Sequence, residues 1–156
     1  MLHIPEKRMV VTGASPVTTS SAVTADYICM KNVIRAYIIV TLTQAAAHAT
    51  GIDPVQATAV AGTSAKAFTK TLPIWANEDV AASDALTAQT AAVTYNVTAD
   101  IKNKKVIFQI DADKLDVANS FDCIGVTLDA SSEATNFVNI EYILEMRYPG
   151  KSVIVD

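Results

Sequence analysis

The 156-residue chain carries a formal charge of −4, with 51% hydrophobic but only 6% aromatic residues. That length is enough for one self-sufficient core. The acidic balance excludes the electrostatic footprint of a nucleic-acid binder, and no run approaches the roughly eighteen apolar residues of a membrane-spanning helix.

Residues 1–26 are rich in Ser, Thr, Val and Ala, contain Pro5 and Pro16, and hold no steady period. They read as an extended N-terminal arm, or a loosely held first strand, ahead of a single domain over 27–156. The opening "MLHIPEKRMVV" has charges at Glu6, Lys7 and Arg8 and no apolar stretch after them, so no secretory signal is expected. Synthesis in a reducing cytoplasm follows. There Cys29 and Cys123 are expected as two buried thiols ahead of a disulfide.

Alternation then begins. "NVIRAYIIVTLTQ" sets Ile34, Ala36, Ile38, Val40 and Leu42 on one face against Arg35, Thr41 and Thr43. Residues 45–91 are Ala- and Thr-rich and are broken by "GIDP", "AGTS" and "LPIWANED". Within them "SDALTAQTAA" is a candidate short helix capped by Ser83 or Asp84, weakened by Thr87 and Thr90. "AVTYNVT" is a short candidate strand. "KNKK" (102–105) reads as a charged hairpin tip.

"KKVIFQI" alternates Val106, Phe108 and Ile110 with Lys105, Ile107 and Gln109, and "FDCIGVTL" opposes Ile124, Val126 and Leu128 to Cys123, Gly125 and Thr127. "FVNIEYILEMRY" sorts Val138, Ile140, Tyr142, Leu144, Met146 and Tyr148 away from Asn139, Glu141, Glu145 and Arg147. A helix would scatter these residues around its circumference, whereas a half-buried strand sorts them. The terminal "SVIVD" is a further short candidate. Seven or eight strands without β–helix alternation predict an all-β, antiparallel, jelly-roll-like β-sandwich.

Catalytic patterns are weak. "MVVTGASP" resembles a dinucleotide-binding turn, but Pro16 stands where the helix must start and the next glycine after Gly13 is Gly51. "AGTSAK" lacks the second glycine of a phosphate-wrapping loop. His3 and His48 lie in the arm and in an Ala-rich loop, neither supplying a base on a rigid element. Two Cys and two distant His have no metal-ligand spacing. "NVT" at Asn96 is a glycosylation sequon that an unexported chain leaves unused. Trp75, the single Trp, is either a sugar-stacking or interface platform or, more commonly, a buried strand-end residue.

The densest acidic run is "IDADKLDVANSFDC" (110–123), with Asp111, Asp113, Asp116 and Asp122. A calcium loop starting at Asp111 would place Leu115 at an oxygen-ligand position, Asp116 where glycine is needed and Asp122 where a bidentate Glu is needed. A catalytic pair lacks an accompanying base. The stronger reading is a turn joining two core strands, with Leu115 tucked in as an anchor and the aspartates solvated or accepting backbone N–H bonds.

Several phrases of the chain also carry a resemblance. "QATAVAGTSAKAF" (56–68), "PIWANED", "FQIDADKLDVANSFDCIGVTLD" and "YILEMRYPG" look like small virion structural proteins of tailed bacteriophages, and more narrowly like capsid decoration, or cement, proteins. The similarity runs from about residue 30 to 150. It implies a β-sandwich that binds the outside of an assembled shell, with the major capsid protein as partner and self-association as a dimer or trimer. It implies no catalytic, cofactor-binding or metal-binding residues. The expected location is the capsid exterior, after synthesis in the host cytoplasm. The competing expectations are another virion component, such as a head–tail or tail-fibre module, and a carbohydrate-binding β-sandwich resting on Trp75, Tyr95 and the acidic turn. An enzyme is expected least.

Overall fold

The structure, a computed structural model, describes residues 8–148. Its strands in chain order are β1 (Arg8–Thr18), β2 (Val23–Thr24), β3 (Ile28–Cys29), β4 (Val33–Thr43), β5 (Gly51–Ala57), β6 (Lys66–Ala67), β7 (Leu72–Asn77), β8 (Thr87–Ala92), β9 (Tyr95–Asn96), β10 (Asn103–Asp111), β11 (Cys123–Leu128) and β12 (Phe137–Met146). Two sheets of six strands each form. One is a single six-stranded row in the order β1-β12-β4-β10-β7-β8; the other is a four-strand row, β2-β11-β5-β6, completed by β3 paired to β11 and β9 paired to β5. All pairings are antiparallel. The chain alternates between the sheets as it advances, which makes the β-sandwich jelly-roll-like.

The period-two pattern explains the core. Ala36, Ile38, Val40 and Leu42 of β4, Val106, Phe108 and Ile110 of β10, and Val138, Ile140, Tyr142 and Leu144 of β12 are all buried between the sheets. They meet Ile52 of β5 and Ile124, Val126 and Leu128 of β11 from the second sheet. Interdigitation of two inner faces is what stabilises a sandwich, at about 1.5–3 kcal/mol for each fully buried large aliphatic side chain.

Four expectations are corrected. The N-terminal segment is not an arm over residues 8–26: β1 pairs with β12 from Arg8↔Glu145 to Thr18↔Phe137, and β2 pairs with β11. Its register shifts between Thr12 and Ala14 and again between Ala14 and Val17. Bulges of this kind break the alternation that betrays a strand. Gly13 is the extra residue at the first, and a Cβ there would lie 2.4 Å from Tyr142 Cε2, which is why glycine occupies it. Residues 1–7, and the candidate strand "SVIVD", lie outside the described residues.

The second correction concerns "SDALTAQTAA", which forms no helix; Thr87–Ala92 is the edge strand β8, paired to β7. Thr87 and Thr90 are β-branched and suit a strand better than a helix. Thirdly, Ile34 is 50% exposed while Val33 is buried. A register shift pairs Met146 with Val33 and Glu145 with Arg35, so Ile34 is the extra residue turned outward. Tyr148 is likewise exposed, beyond the end of β12.

The fourth is Lys104. It belongs to no surface tip but to the inner face of β10, 0% exposed, opposite Leu42. Its ammonium group donates to the backbone oxygen of Thr98 and, at 2.9 Å, to Thr98 Oγ1, and lies 3.3 Å from Glu78 Oε2. Glu78 also accepts from the Tyr95 hydroxyl at 2.8 Å and from Thr98 N–H at 3.2 Å. This network closes one end of the sandwich. Burial, then the Glu78 bond, pushes the Tyr95 hydroxyl up to about 12.

Candidate functional site

The acidic run is the crossing from the six-stranded sheet to the other one. β10 ends at Asp111, two short 3-10 turns follow over Ala112–Lys114 and Val117–Asn119, and β11 starts at Cys123. Leu115 is buried between the turns, as an anchor should be. Asp113 is exposed, as expected of a solvated carboxylate, but the other three aspartates are not simply solvated. Arg35 Nε donates to Asp111 Oδ1 at 2.5 Å, Lys66 Nζ donates to Asp116 Oδ2 at 2.5 Å, and Lys31 Nζ lies 3.3 Å from Asp122 Oδ2.

Burial pulls the Asp111 carboxyl upward, but hydrogen bonds from Arg35 and Gln109 outweigh it and leave the group below its ordinary value. Hydrogen bonds from Lys66 and Asn119 hold Asp116 low as well. Asp116 N–H in turn donates to Gln56 Oε1 at 2.8 Å, which ties the crossing to β5. Each of these three carboxylates has its own cation, so the run is a clamped joint and not a set of carboxylates sharing a proton.

The other sequence candidates are scattered. His48 Nδ1 lies 3.1 Å from Thr50 Oγ1 in a loop, and His3 is outside the described residues. Asn96 is exposed on β9. Tyr95 packs against the core and spends its hydroxyl on Glu78, so it offers no platform beside Trp75. The constellation required of a sugar site is therefore not assembled.

Trp75 is neither fully buried nor at a strand end. It sits within β7 on the outward face of the six-stranded sheet, half-buried, opposite Ile107 on one side and Ala88 on the other. Tyr37, Trp75, Leu86, Ile107 and Gln109 line a shallow depression there. The register continues this patch across the sheet. Ile107 faces Ile39, Gln109 faces Tyr37, Tyr37 faces Ile143, and Ile143 faces Val10 at the far edge, where Val10 is 56% exposed.

The result is a mainly apolar, aromatic-bearing band running from β1 to β8, interrupted by Gln109 opposite Tyr37 and by Glu141 opposite Ile39. On one flank runs a charged ladder in which Arg8 pairs with Glu145 at 2.7 Å and Arg35 with Asp111. On the other flank lie Asn139, Thr41 and Lys105 in register. The outward positions are legible in the sequence at Ile107, but Tyr37 and Ile39 stand in an apolar run where alternation does not single them out.

The second sheet's outer face is different. β11 is buried along nearly its whole length on both sides. Tyr27 lies over Gly125, where a Cβ would come within 2.8 Å of the ring, and also crowds Gly62, whose φ is +73°. That close approach is why glycine stands in the middle of a central strand. Near its end, Cys123 is buried and directly opposite half-buried Cys29 of β3, and both are free thiols. Burial, then the bond to Asp122, pushes the Cys123 thiol up to about 12.

No protein-family model matches the chain, and no curated protein matches its sequence. Among solved structures, the chain is similar to the SPBc2 prophage-derived protein YomS, with 8% identity and a TM-score of 0.49 over 88% of this chain and 91% of that one. It is also similar to a CBM4 structure, with 13% identity and a TM-score of 0.33 over 92% of this chain and 71% of that one. Neither likeness bears on the chemistry of the side chains described above. Among the described residues, no helix is long and apolar enough to cross a membrane.

Proposed function

We propose that this chain is a virion structural protein that binds the outer surface of an assembled phage capsid and stabilises it, in the manner of a decoration or cement protein. The observation that carries a binding role is the outward face of the six-stranded sheet. A band of Val10, Ile143, Tyr37, Ile39, Ile107 and Trp75, crossed by Glu141 and Gln109 and set between two polar flanks, has the anatomy of a protein interface, mainly apolar and aromatic at the centre and charged at the rim. Exposed apolar patches rimmed by polar residues commonly mark protein interaction sites. The nature of the partner comes from the sequence resemblance over residues 30–150, and the acidic charge suits a shell exterior better than packaged DNA.

Lattice repetition allows each copy to bind modestly while the shell gains cumulatively. The proposed role is thus mechanical and not catalytic. The test is sedimentation of purified protein with undecorated shells. Wild-type protein is expected to travel with the particles at many copies per shell. Trp75→Ala combined with Tyr37→Ala is expected to weaken retention by roughly 10-fold or more, since a central aromatic at an interface costs about 1–2 kcal/mol or more when truncated. Failure of the wild-type protein to sediment with shells refutes the reading. A few copies confined to one vertex would favour a head–tail or tail-fibre component instead.

A further inference from the structure

Cys29, Asp122 and Cys123 form the one group of three metal-capable side chains among the described residues, with their ligand atoms all within 4.8 Å of one another. We propose that this group is a binding site for a thiophilic divalent cation of the zinc class, held by two thiolates and one carboxylate oxygen.

The backbone brings the sulfurs together. Cys29 and Cys123 are direct cross-strand partners, and Met30 N–H donates to the Asp122 carbonyl at 2.7 Å. That bond flanks the cysteine pair, which makes it a non-hydrogen-bonded pair, the position where antiparallel strands approach most closely, at about 4.5 Å between Cα atoms. Both side chains therefore project from adjacent points on the same face. Asp122 immediately precedes Cys123 and turns its Oδ1 to within 3.3 Å of Cys123 Sγ.

These separations suit a tetrahedron. With metal–sulfur bonds of about 2.3 Å and a metal–oxygen bond of about 2.1 Å, tetrahedral edges come to about 3.8 Å between sulfurs and about 3.6 Å between sulfur and oxygen. The Asp122–Cys123 edge is already slightly inside that length, and χ1 adjustments of about 1 Å bring the remaining atoms to it. The donor set of two sulfurs and one oxygen selects a soft or borderline ion over calcium or magnesium.

The outer groups fit as well. Lys31 Nζ lies 3.3 Å from the other Asp122 oxygen, Oδ2. It leaves Oδ1 facing the sulfurs and orients the carboxylate from behind, as supporting groups around metals do. The charges balance too. Two thiolates and a carboxylate carry −3, the cation +2 and Lys31 +1. Each thiol gives up its proton to solvent as the cation binds, and no electron is exchanged. Cys29 and Asp122 are partly exposed, which leaves the fourth position open to water on their side. The bound cation would fasten β3, a strand only two residues long, to the central strand β11.

The experiment uses the full chain, reduced and stripped with chelator, titrated with Cd2+ while the thiolate-to-metal charge-transfer absorbance is followed. Saturation at one equivalent, with a raised melting temperature, is expected. Cys29→Ser is expected to abolish the band, and Asp122→Asn to weaken binding by at least 10-fold. Both variants are compared with wild type by metal-free melting, so that a loss of fold is told apart from a loss of ligand. No band in the wild-type protein, a band that survives in Cys29→Ser, or unchanged affinity in Asp122→Asn overturns the assignment. So does a freshly isolated chain whose mass is two hydrogens short and which resists Cd2+ until reduced, because the pair is then a disulfide.

Discussion

Removing the counter-ion of Lys104 tests whether the buried network at the end of the sandwich is as closely coupled as its geometry implies. Lys104 is wholly buried, and Glu78 is the carboxylate at its ammonium group, 3.3 Å away with 27% of the Glu78 side chain exposed. Glu78→Ala leaves that ammonium with only the two oxygens of Thr98 as acceptors. Stripping one partner from a buried pair costs about 3–5 kcal/mol, and the retained Thr98 bonds place this case near the lower end, about 3 kcal/mol. Lys104→Met keeps the apolar stem and removes the charge. Glu78 then still accepts from Tyr95 and Thr98 and reaches water, so the cost is about 1 kcal/mol. In a chain of this size 1 kcal/mol moves the midpoint by roughly 2–4 °C, giving losses of about 6–12 °C and 2–4 °C. The double variant is expected to be more stable than Glu78→Ala alone, with a coupling of about 2 kcal/mol in urea denaturation. Strictly additive losses, or Lys104→Met proving the more damaging single change, would refute the coupling.

Three further outcomes are expected. Burial, with Asp129 nearby, raises the Asp53 carboxyl in the fold, so its stabilising influence exists below the unfolded pKa of about 3.9 and is lost as pH rises through the folded value. Asp53→Asn is therefore expected to raise the melting temperature at neutral pH and to lose that gain near pH 3.5. Asp111 has the opposite sign: its stabilisation is present above about 3.9 and lost as pH falls through its lowered pKa, so Asp111→Asn should flatten the acid limb; unchanged acid melting would contradict this. Leu115→Ala should cost about 2–3 kcal/mol in urea titration, because the side chain is only 6% exposed where the acidic crossing meets the core; a loss under 0.5 kcal/mol would mean the crossing is not anchored there.

Strands with an unbroken register could be read from their residues. β10 and β12 alternate without interruption from Val106 to Ile110 and from Val138 to Met146, and both inner faces are where the pattern puts them. β1 could not be read, because two bulges reset its phase within eleven residues and exposed Val10 and Val17 blur the contrast between its faces. Lys104 was missed for a different reason. Its place in the inner set with Val106, Phe108 and Ile110 is plain from spacing alone, but a lysine among lysines argues for solvent unless its acceptors are known. Of those acceptors, Thr98 stands only six residues back but is brought in by an irregular loop, and Glu78 follows the separate strand β7. The cysteine pair is similarly hidden, since nothing local in "DYICMK" shows that a two-residue strand ends opposite Cys123.

The acidic crossing shows how the fold separates architecture from surface. The chain must pass from the edge of Asp111 in one sheet to Cys123 in the other, and it carries a carboxylate at each stage of the passage. Arg35 comes from β4, Lys66 from β6 and Lys31 from the turn before β4, so the three ion pairs fasten the crossing to both sheets. Lys66 also lies 3.9 Å from the centre of the Phe121 ring, which adds a second hold on the same segment. Exposed pairs of this kind contribute little singly. Their value here is positional, because they hold Leu115 against the core and deliver Asp122 beside the two thiols.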